Sequence, residues 1–246
     1  MIKAVETINQ NNLCLRGYLH IPDNFTGKLV VFFHGFTGNL TEHGGIFRDF
    51  SRLISKHGFA SLRFDFSNNG ESDGCFCDFT YDTLMADAVT ILDYGKNIAG
   101  VKDIILLGFS MGGAVAAYLA GRRPCDITRL LLWSPAGNLT SLIKNRYEKA
   151  TKLANGNIDC PNFPISKALY ESLSKYDWHD GLEKYQNPVL IMHGQSDQAV
   201  KCRESYRYGN LFPKALVYLV TGAGHGYDRH AERQKLFQKS LEFIAR

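Results

Sequence analysis

The pentapeptide Gly108-Phe-Ser-Met-Gly112 constrains this chain most, because it stands between an apolar run and an alanine-rich stretch. Residues 103–108 predict a buried strand, and residues 114–121 predict a helix that ends at glycine. A G-x-S-x-G string in that context predicts a sharp strand-to-helix turn, in which the glycines prevent collisions. The turn holds Ser110 clear of the sheet, at a helix N-terminus that favours negative charge. Ser110 is therefore the candidate nucleophile.

Short β-branched runs alternate with longer helical patterns along much of the chain. This alternation predicts right-handed βαβ units and an α/β fold, with a mostly parallel central sheet flanked by helices. Residues 13–20 are predicted to belong to an antiparallel N-terminal hairpin on the sheet edge. The remaining predicted strands are 29–33, 60–64, 103–108, 129–133, 189–192 and 216–220, and the predicted helices include 45–57, 81–96 and 114–121.

One segment interrupts this alternation, since 55 residues separate Trp133 from Val189. A connection of that length predicts structure of its own, so residues 134–188, with Pro161 and Pro164, are interpreted as a small cap. Residues 1–133 and 189–246 then form the core. The aromatic residues of this cap segment either line a substrate pocket or pack the cap onto the core: Tyr147, Phe163, Tyr170, Tyr176, Trp178 and Tyr185.

A serine hydroxyl needs a general base, and on a fold of this kind the order along the chain is serine, acid, histidine. His225 follows the last predicted strand on a glycine-rich loop and is the best candidate among eight histidines. His230 is the rival, but it stands at the start of the last helix. Asp197 follows the preceding strand and is the expected partner that orients the imidazole.

The negative charge that develops during acyl transfer needs two fixed hydrogen-bond donors. The backbone N–H of Met111, directly after the candidate nucleophile, is expected to be one of them. The other is expected from the loop 34–38, most simply the N–H of Phe36. His34 in this loop and His193 at an analogous strand end are interpreted as structural hydrogen-bonding residues.

Composition excludes several other classes of protein. The formal charge of +4 is scattered, and no basic cluster exceeds Arg122-Arg123, so nucleic acid is not an expected partner. The chain lacks a long apolar run and an apolar leader, which predicts a cytoplasmic protein without membrane association. Six cysteines are expected to be reduced, and Cys75-Phe-Cys77 lacks the spacing and second pair of a structural zinc site. Neither a metal nor a cofactor is expected.

These motifs, over essentially the whole chain, resemble those of the α/β-hydrolase superfamily. More narrowly, residues 34–38 with Glu42-His43-Gly44, residues 60–67 running into 70–74, and residues 188–194 are similar to the bacterial intracellular feruloyl (cinnamoyl) esterases. Monoglyceride lipases and related peptidases share much of this pattern. The resemblance implies an α/β-hydrolase fold whose cap shapes a pocket for a hydroxycinnamoyl group.

The expected activity is that of a serine carboxylic-ester hydrolase acting through an acyl-serine intermediate, on hydroxycinnamate or short-chain acyl esters. The partner is a small-molecule ester, and a homodimer is left open. An acylglycerol lipase and an aminopeptidase-like hydrolase remain alternatives. A peptidase needs a carboxylate for the free amine of its substrate, and the cap segment offers Asp159, Glu171, Asp177 and Asp180. A non-catalytic binding protein is the remote alternative, because such proteins usually lose a member of the triad.

Overall fold

A computed structural model describes residues 1–159 and 163–246. Across these residues the chain forms an eight-stranded sheet in the order β1-β2-β4-β3-β5-β6-β7-β8. The β1–β2 and β2–β4 pairs are antiparallel, and every other neighbouring pair is parallel. The strands are β1 Ile2–Ile8, β2 Cys14–His20, β3 Lys28–Phe33, β4 Ala60–Phe64, β5 Asp103–Phe109, β6 Arg129–Trp133, β7 Val189–Gly194 and β8 Ala215–Val220.

The inner strands are apolar on both faces because helices cover both faces of the sheet. In β5, Leu106 packs into the cluster under α2 and α3, whereas Leu107 packs into the cluster under α1 and α7. The helices that surround the sheet and follow its strands are α1 Ile46–Ser55, α2 Tyr81–Lys96, α3 Met111–Arg122, α4 Leu139–Lys149, α5 Lys167–Ser172, α6 Arg203–Leu211 and α7 His230–Ala245. The predicted α/β-hydrolase fold class and the N-terminal edge hairpin are confirmed.

The start of α3 was predicted too late in the chain. The sequence pattern placed it at Ala114, and Gly112 and Gly113 before it are poor helix formers. In the structure α3 begins at Met111, immediately after Ser110. The physical reason is close packing, since a Cβ on Gly113 would lie 2.9 Å from the Cα of Pro135. The glycines therefore stay in the helix despite their low propensity.

The described residues of the cap segment contribute no strand to the sheet. They form α4, α5 and two short 3₁₀ turns. Isolated β-bridges pair Ile158 with Lys152 and with Ile165. Trp178 and Tyr185 are buried, and the rings of Tyr147 and Tyr170 stack with centroids 4.2 Å apart. The ring of Trp178 packs edge-on against Tyr81 of α2, and the ring of Tyr185 packs edge-on against Phe212, so most of the aromatic side chains pack the segment onto the core. Its boundaries as a separate cap, 134–188, stay a prediction.

Two further observations concern the described part of the chain as a whole. Among its helices, none has the length and apolar character needed to cross a bilayer. Five cysteines carry free thiols, namely Cys14, Cys75, Cys77, Cys125 and Cys202. Cys160 and Pro161, which belong to the predictions above, lie outside the described residues.

Candidate active site

Ser110 occupies a strained turn between β5 and α3. Its backbone has φ 52° and ψ −115°, a conformation that persists only where the surroundings enforce it. A Cβ on Gly108 would lie 2.1 Å from the carbonyl oxygen of Gly112, and a Cβ on Gly112 would lie 2.0 Å from a carbonyl oxygen of β3. Only glycine fits at either position. The pentapeptide thus presents Ser110 at the carboxyl edge of the sheet, as the sequence predicted.

The structure brings the three predicted side chains together, although they lie far apart in sequence. The Oγ of Ser110 is 3.0 Å from Nε2 of His225, and Nδ1 of His225 is 2.6 Å from Oδ2 of Asp197. Each residue follows its own strand, β5, β7 or β8, at the same edge of the sheet. The ring of Phe109 packs against the imidazole, with centroids 5.0 Å apart. This arrangement allows His225 to accept the serine proton while Asp197 holds its tautomer.

Asp197 accepts hydrogen bonds on both carboxylate oxygens. Oδ1 accepts the backbone N–H groups of Ala199 and Val200 at 2.8 and 2.9 Å. Oδ2 faces not only His225 but also Nε2 of His193, which lies 3.2 Å away. Burial alone raises the pKa of Asp197, but the hydrogen bonds from His193 and His225 outweigh it and hold the pKa well below its usual range. The carboxylate therefore stays charged beside the imidazole.

His193 is a partner of the acid that the sequence did not identify as such. Its ring is fully buried, with Nδ1 2.5 Å from the hydroxyl oxygen of Ser205 and Nε2 2.9 Å from the carbonyl oxygen of Val200. Nε2–H is accordingly shared between Val200 and Asp197. The expected role of His193 as a structural hydrogen-bonding residue agrees with these contacts. Its position one residue before the end of β7 was the available signal.

The two predicted oxyanion donors belong to residues next to the candidate nucleophile, since Phe36 lines the same cavity as Ser110 and Met111 directly follows Ser110 in the chain. In the described residues, the backbone N–H groups of Phe36 and Met111 donate to no backbone acceptor. The loop that carries Phe36 lies against Ser110, since a Cβ on Gly35 would be 3.4 Å from the Cβ of Ser110. Two unused N–H groups beside a serine are what a developing oxyanion needs.

Glu42 fixes the shape of the loop that carries Phe36, and sequence analysis missed this. Its Oε2 accepts the N–H of Gly35 at 2.7 Å, and its Oε1 accepts the N–H of His43 at 3.1 Å. Burial raises the pKa of Glu42, although these hydrogen bonds oppose the shift. Glu42 has φ 58°, and Gly44 and Gly45, which follow it, also have positive φ. A glutamate followed by His-Gly-Gly was the sequence signal for this turn.

His34 anchors the other end of the same loop. Its Nε2 accepts the N–H of Phe66 at 3.0 Å, so Nδ1 carries the proton and donates to the carbonyl of Gly35 at 2.9 Å. Burial lowers the pKa of His34 to about 4, whereas the bond to Gly35 opposes this shift. His34 is therefore structural and neutral, in line with its expected role.

A pH dependence of stability follows from His34. The unfolded chain protonates this residue below about pH 6.5, while the folded chain resists until about pH 4. Its contribution is thus present above pH 6.5 and is lost as the pH falls. Between pH 6.5 and 5 we expect a loss of about 2 kcal/mol in the free energy of unfolding. Urea titrations at both pH values measure this slope.

Two variants isolate the contribution of His34. His34→Asn should have a shallower pH slope than the parent, while His57→Asn, which replaces an exposed histidine, should keep the parental slope. An unchanged slope in a folded His34→Asn protein would contradict the assignment.

Arg233 on α7 connects the loop of His225 to the loop of Glu42. Its Nε donates to the carbonyl of Tyr227 at 3.0 Å, and its two Nη groups donate to the carbonyls of Gly44 and His43 at 2.7 and 3.2 Å. Nearby, Nε2 of His43 lies 2.8 Å from Oδ1 of Asp228. The loop of His225 and the loop of Glu42 are therefore held by one guanidinium.

A cavity of about 490 Å³ opens against the nucleophile, a size typical of small-molecule sites. Two carboxylates, those of Glu42 and Asp228, lie on its wall. A neighbouring cavity of about 390 Å³ shares residues 37–39 with it and is lined by Phe76 and by Phe163 of the cap segment. The residues around the first cavity are Gly35, Phe36, Thr37, Gly38, Asn39, Glu42, His43, Phe109, Ser110, His225, Gly226 and Asp228.

Comparison with solved structures identifies proteins with a similar fold. Est1E from Butyrivibrio proteoclasticus, in a structure with bound ferulic acid, superposes with a TM-score of 0.83 and is 27% identical, covering 99% of this chain and all of that one. The esterase Pf2001 from Pyrococcus furiosus is 22% identical with a TM-score of 0.77, covering all of this chain and 92% of that one. The second likeness bears on the fold alone.

Sequence comparison leads to the same group. The sn-1-specific diacylglycerol lipase ABHD11 of Danio rerio is 25% identical over 267 residues, covering 91% of this chain and 79% of that protein. A model of the family described as "Serine aminopeptidase, S33" matches residues 26–180, which is more than half of the chain. The chain therefore belongs to this family of serine α/β-hydrolases.

Proposed function

We propose that this protein is a carboxylic-ester hydrolase that works through an acyl-serine intermediate. The observation that carries the proposal is the continuous hydrogen-bonded chain from Ser110 through His225 to Asp197, with separations of 3.0 and 2.6 Å. Two unused backbone N–H groups, those of Phe36 and Met111, complete the set that acyl transfer requires.

The reaction follows from the positions of these groups. His225 removes the proton of Ser110 as its Oγ attacks the ester carbonyl, and the oxyanion accepts hydrogen bonds from Phe36 and Met111. His225 then gives the proton to the departing alcohol, which leaves an acyl group on Ser110. Water, deprotonated by the same imidazole, attacks the acyl-serine and releases the acid.

For the acyl group we propose a hydroxycinnamate, with short aliphatic acyl groups as the nearest alternative. The support is the likeness to Est1E, whose structure contains ferulic acid. The ring centroid of Phe76 lies 5.5 Å from that of Phe36 and 4.7 Å from that of Phe163. These rings line the cavity at Ser110 and the cavity next to it. Aromatic contacts of this kind are suited to a flat phenolic ring.

The test is a comparison of kcat/KM for methyl ferulate, a short-chain aryl ester and a monoacylglycerol. We expect methyl ferulate to be hydrolysed most efficiently. If only the aryl ester is turned over, the ester-hydrolase proposal stands and the hydroxycinnamate proposal is withdrawn. Absence of turnover with every ester, in a protein that is folded by circular dichroism, would contradict both.

A second candidate activity is the release of an aminoacyl group. It is favoured by the carboxylates of Glu42 and Asp228, which lie on the wall of the cavity at Ser110 and could receive a substrate ammonium group. Neither belongs to the cap segment, where the sequence had suggested four acidic residues for this role. Comparing an aminoacyl anilide with an aryl ester of matched leaving-group pKa separates the two activities.

Glu42 is expected to support turnover through the loop it holds. Glu42→Ala removes the acceptor for Gly35 N–H, and a hydrogen bond to a charged group contributes about 1.5 to 3 kcal/mol. We therefore expect kcat to fall about 10- to 100-fold with a smaller change in KM. Glu42→Gln, whose amide oxygen can still accept the Gly35 N–H, should recover part of the loss.

The matched control for this prediction is Glu183→Ala, which replaces an exposed glutamate in a 3₁₀ turn of the cap segment. It should have the parental kcat. Equal kcat values for Glu42→Ala and the parent would show that Glu42 does not position the loop that carries Phe36.

A further inference from the structure

A group of metal-ligating side chains lies outside the catalytic machinery, on the connection between β4 and α2. The Sγ atoms of Cys75 and Cys77 and a carboxylate oxygen of Asp78 all lie within 4.8 Å of one another. Cys75 and Asp78 are exposed and Cys77 is half-buried, so a solvated ion can reach them. Both thiols are free.

The backbone holds these three residues in a fixed turn. The N–H of Asp78 donates to the carbonyl of Cys75 at 2.8 Å, and the N–H of Cys77 lies 3.4 Å from the Sγ of Cys75 as a cap on the 3₁₀ turn 76–78. Phe76, between the two thiols, is buried, and its ring stacks on that of Phe79 with centroids 5.4 Å apart. Because Phe76 points inward, its neighbours are presented together on the outer side of the turn.

We propose that Cys75, Cys77 and Asp78 bind a thiophilic divalent cation, preferentially Zn²⁺, and that water is the fourth ligand. Two sulfurs on one tetrahedral Zn²⁺ are separated by roughly 3.8 Å, given Zn–S bonds of about 2.3 Å. The three ligand atoms here already lie within 4.8 Å of one another. Soft thiolate ligands select zinc over magnesium or calcium, which prefer oxygen.

The carboxylate of Asp78 adds a ligand that the motif Cys75-Phe-Cys77 does not contain. A structural zinc site has four protein ligands in two pairs, and Cys75-Phe-Cys77 has no second pair. Asp78 adds a third ligand, and among the described residues its carboxylate takes part in no salt bridge. Three protein ligands and an open position form an accessible site that exchanges its metal, rather than a closed structural one.

The test is a zinc titration of the reduced full-length chain, without oxygen, in competition with a chromophoric chelator. We expect one Zn²⁺ per chain. Loss of an outer-shell contact alone weakens zinc binding about 10- to 100-fold, so Cys75→Ser and Cys77→Ser should each weaken it by more than about 100-fold. Cys125→Ser, which replaces an exposed cysteine elsewhere, should bind as the parent does.

Cobalt supplies a second readout that reports the kind of ligand. Co²⁺ bound in the site should give the intense absorption of sulfur-to-metal charge transfer, and Cys75→Ser, which keeps one thiolate, should give a weaker band at the same cobalt concentration. The proposal is overturned if the parent retains no zinc, or if Cys75→Ser and Cys125→Ser retain it equally. Both measurements record binding directly, so their outcome is independent of whether the protein hydrolyses esters.

Discussion

Replacing Ser110 by alanine should lower kcat for the best ester substrate by about 10⁴- to 10⁶-fold. The reason is that Ser110 supplies the oxygen placed 3.0 Å from Nε2 of His225 and next to the two N–H groups that have no backbone acceptor among the described residues. Without it no acyl-enzyme forms, and the remaining groups can only assist direct attack by water. Initial rates with methyl ferulate or an aryl ester, at substrate concentrations above KM, measure the effect.

The control for this experiment is Ser55→Ala, because the hydroxyl of Ser55 on α1 donates only to the carbonyl of Arg52. Labelling with a fluorophosphonate provides an independent readout, since the parent should react at one site and Ser110→Ala should not react. A parent that fails to react would revive the view of the chain as a binding protein on a hydrolase scaffold. Residual ester turnover above 1% in Ser110→Ala would place the nucleophile elsewhere.

Asp197→Asn should lower kcat by about 10⁴-fold while the protein remains folded. Oδ2 of Asp197 faces the N–H groups of His225 and His193, and Oδ1 faces the N–H groups of Ala199 and Val200. All four neighbours donate, so an amide NH₂ has no acceptable position. Placed toward His225, it imposes the tautomer in which Nε2 carries the proton and cannot accept one from Ser110.

Asp49→Asn is the matched control, because Asp49 lies on α1, and within residues 1–159 and 163–246 its ion pair is with the neighbouring Arg48. It should leave kcat unchanged. The pH dependence of kcat adds a further check, since the activity that remains in Asp197→Asn should rise with hydroxide concentration. Wild-type turnover by folded Asp197→Asn protein would show that another acid orients the base.

The fold was predictable from the sequence because the inner strands are buried on both faces. Such strands appear as short continuous apolar runs, and β4 and β6 were predicted with the bounds that the structure gives them. The start of α3 was not predictable in this way. Helix propensity argues against Gly112 and Gly113, whereas the contacts that require them come from β3 and Pro135, which are remote in sequence.

The candidate triad was predictable from chain order, since each of its residues follows a strand and parallel strands end at one edge of the sheet. The supporting contacts were not. His193 reaches Asp197 only because the turn after β7 folds back, and Glu42 reaches Gly35 only through a backbone with positive φ. Arg233 is 189 residues from Gly44, and no local pattern indicates that pair.

The three carbonyl contacts of Arg233 tie the last helix to the candidate active site, although it contributes no residue of the candidate triad. If α7 detaches, the guanidinium leaves Tyr227, His43 and Gly44 at once, and the loops of His225 and Glu42 lose their common support. Shortening the C-terminal helix past Arg233 should therefore abolish turnover although no triad residue is changed, because it removes these contacts together with the buried side chains of Leu236 and Ile244. A partner fused after α7 needs a linker that leaves this helix docked.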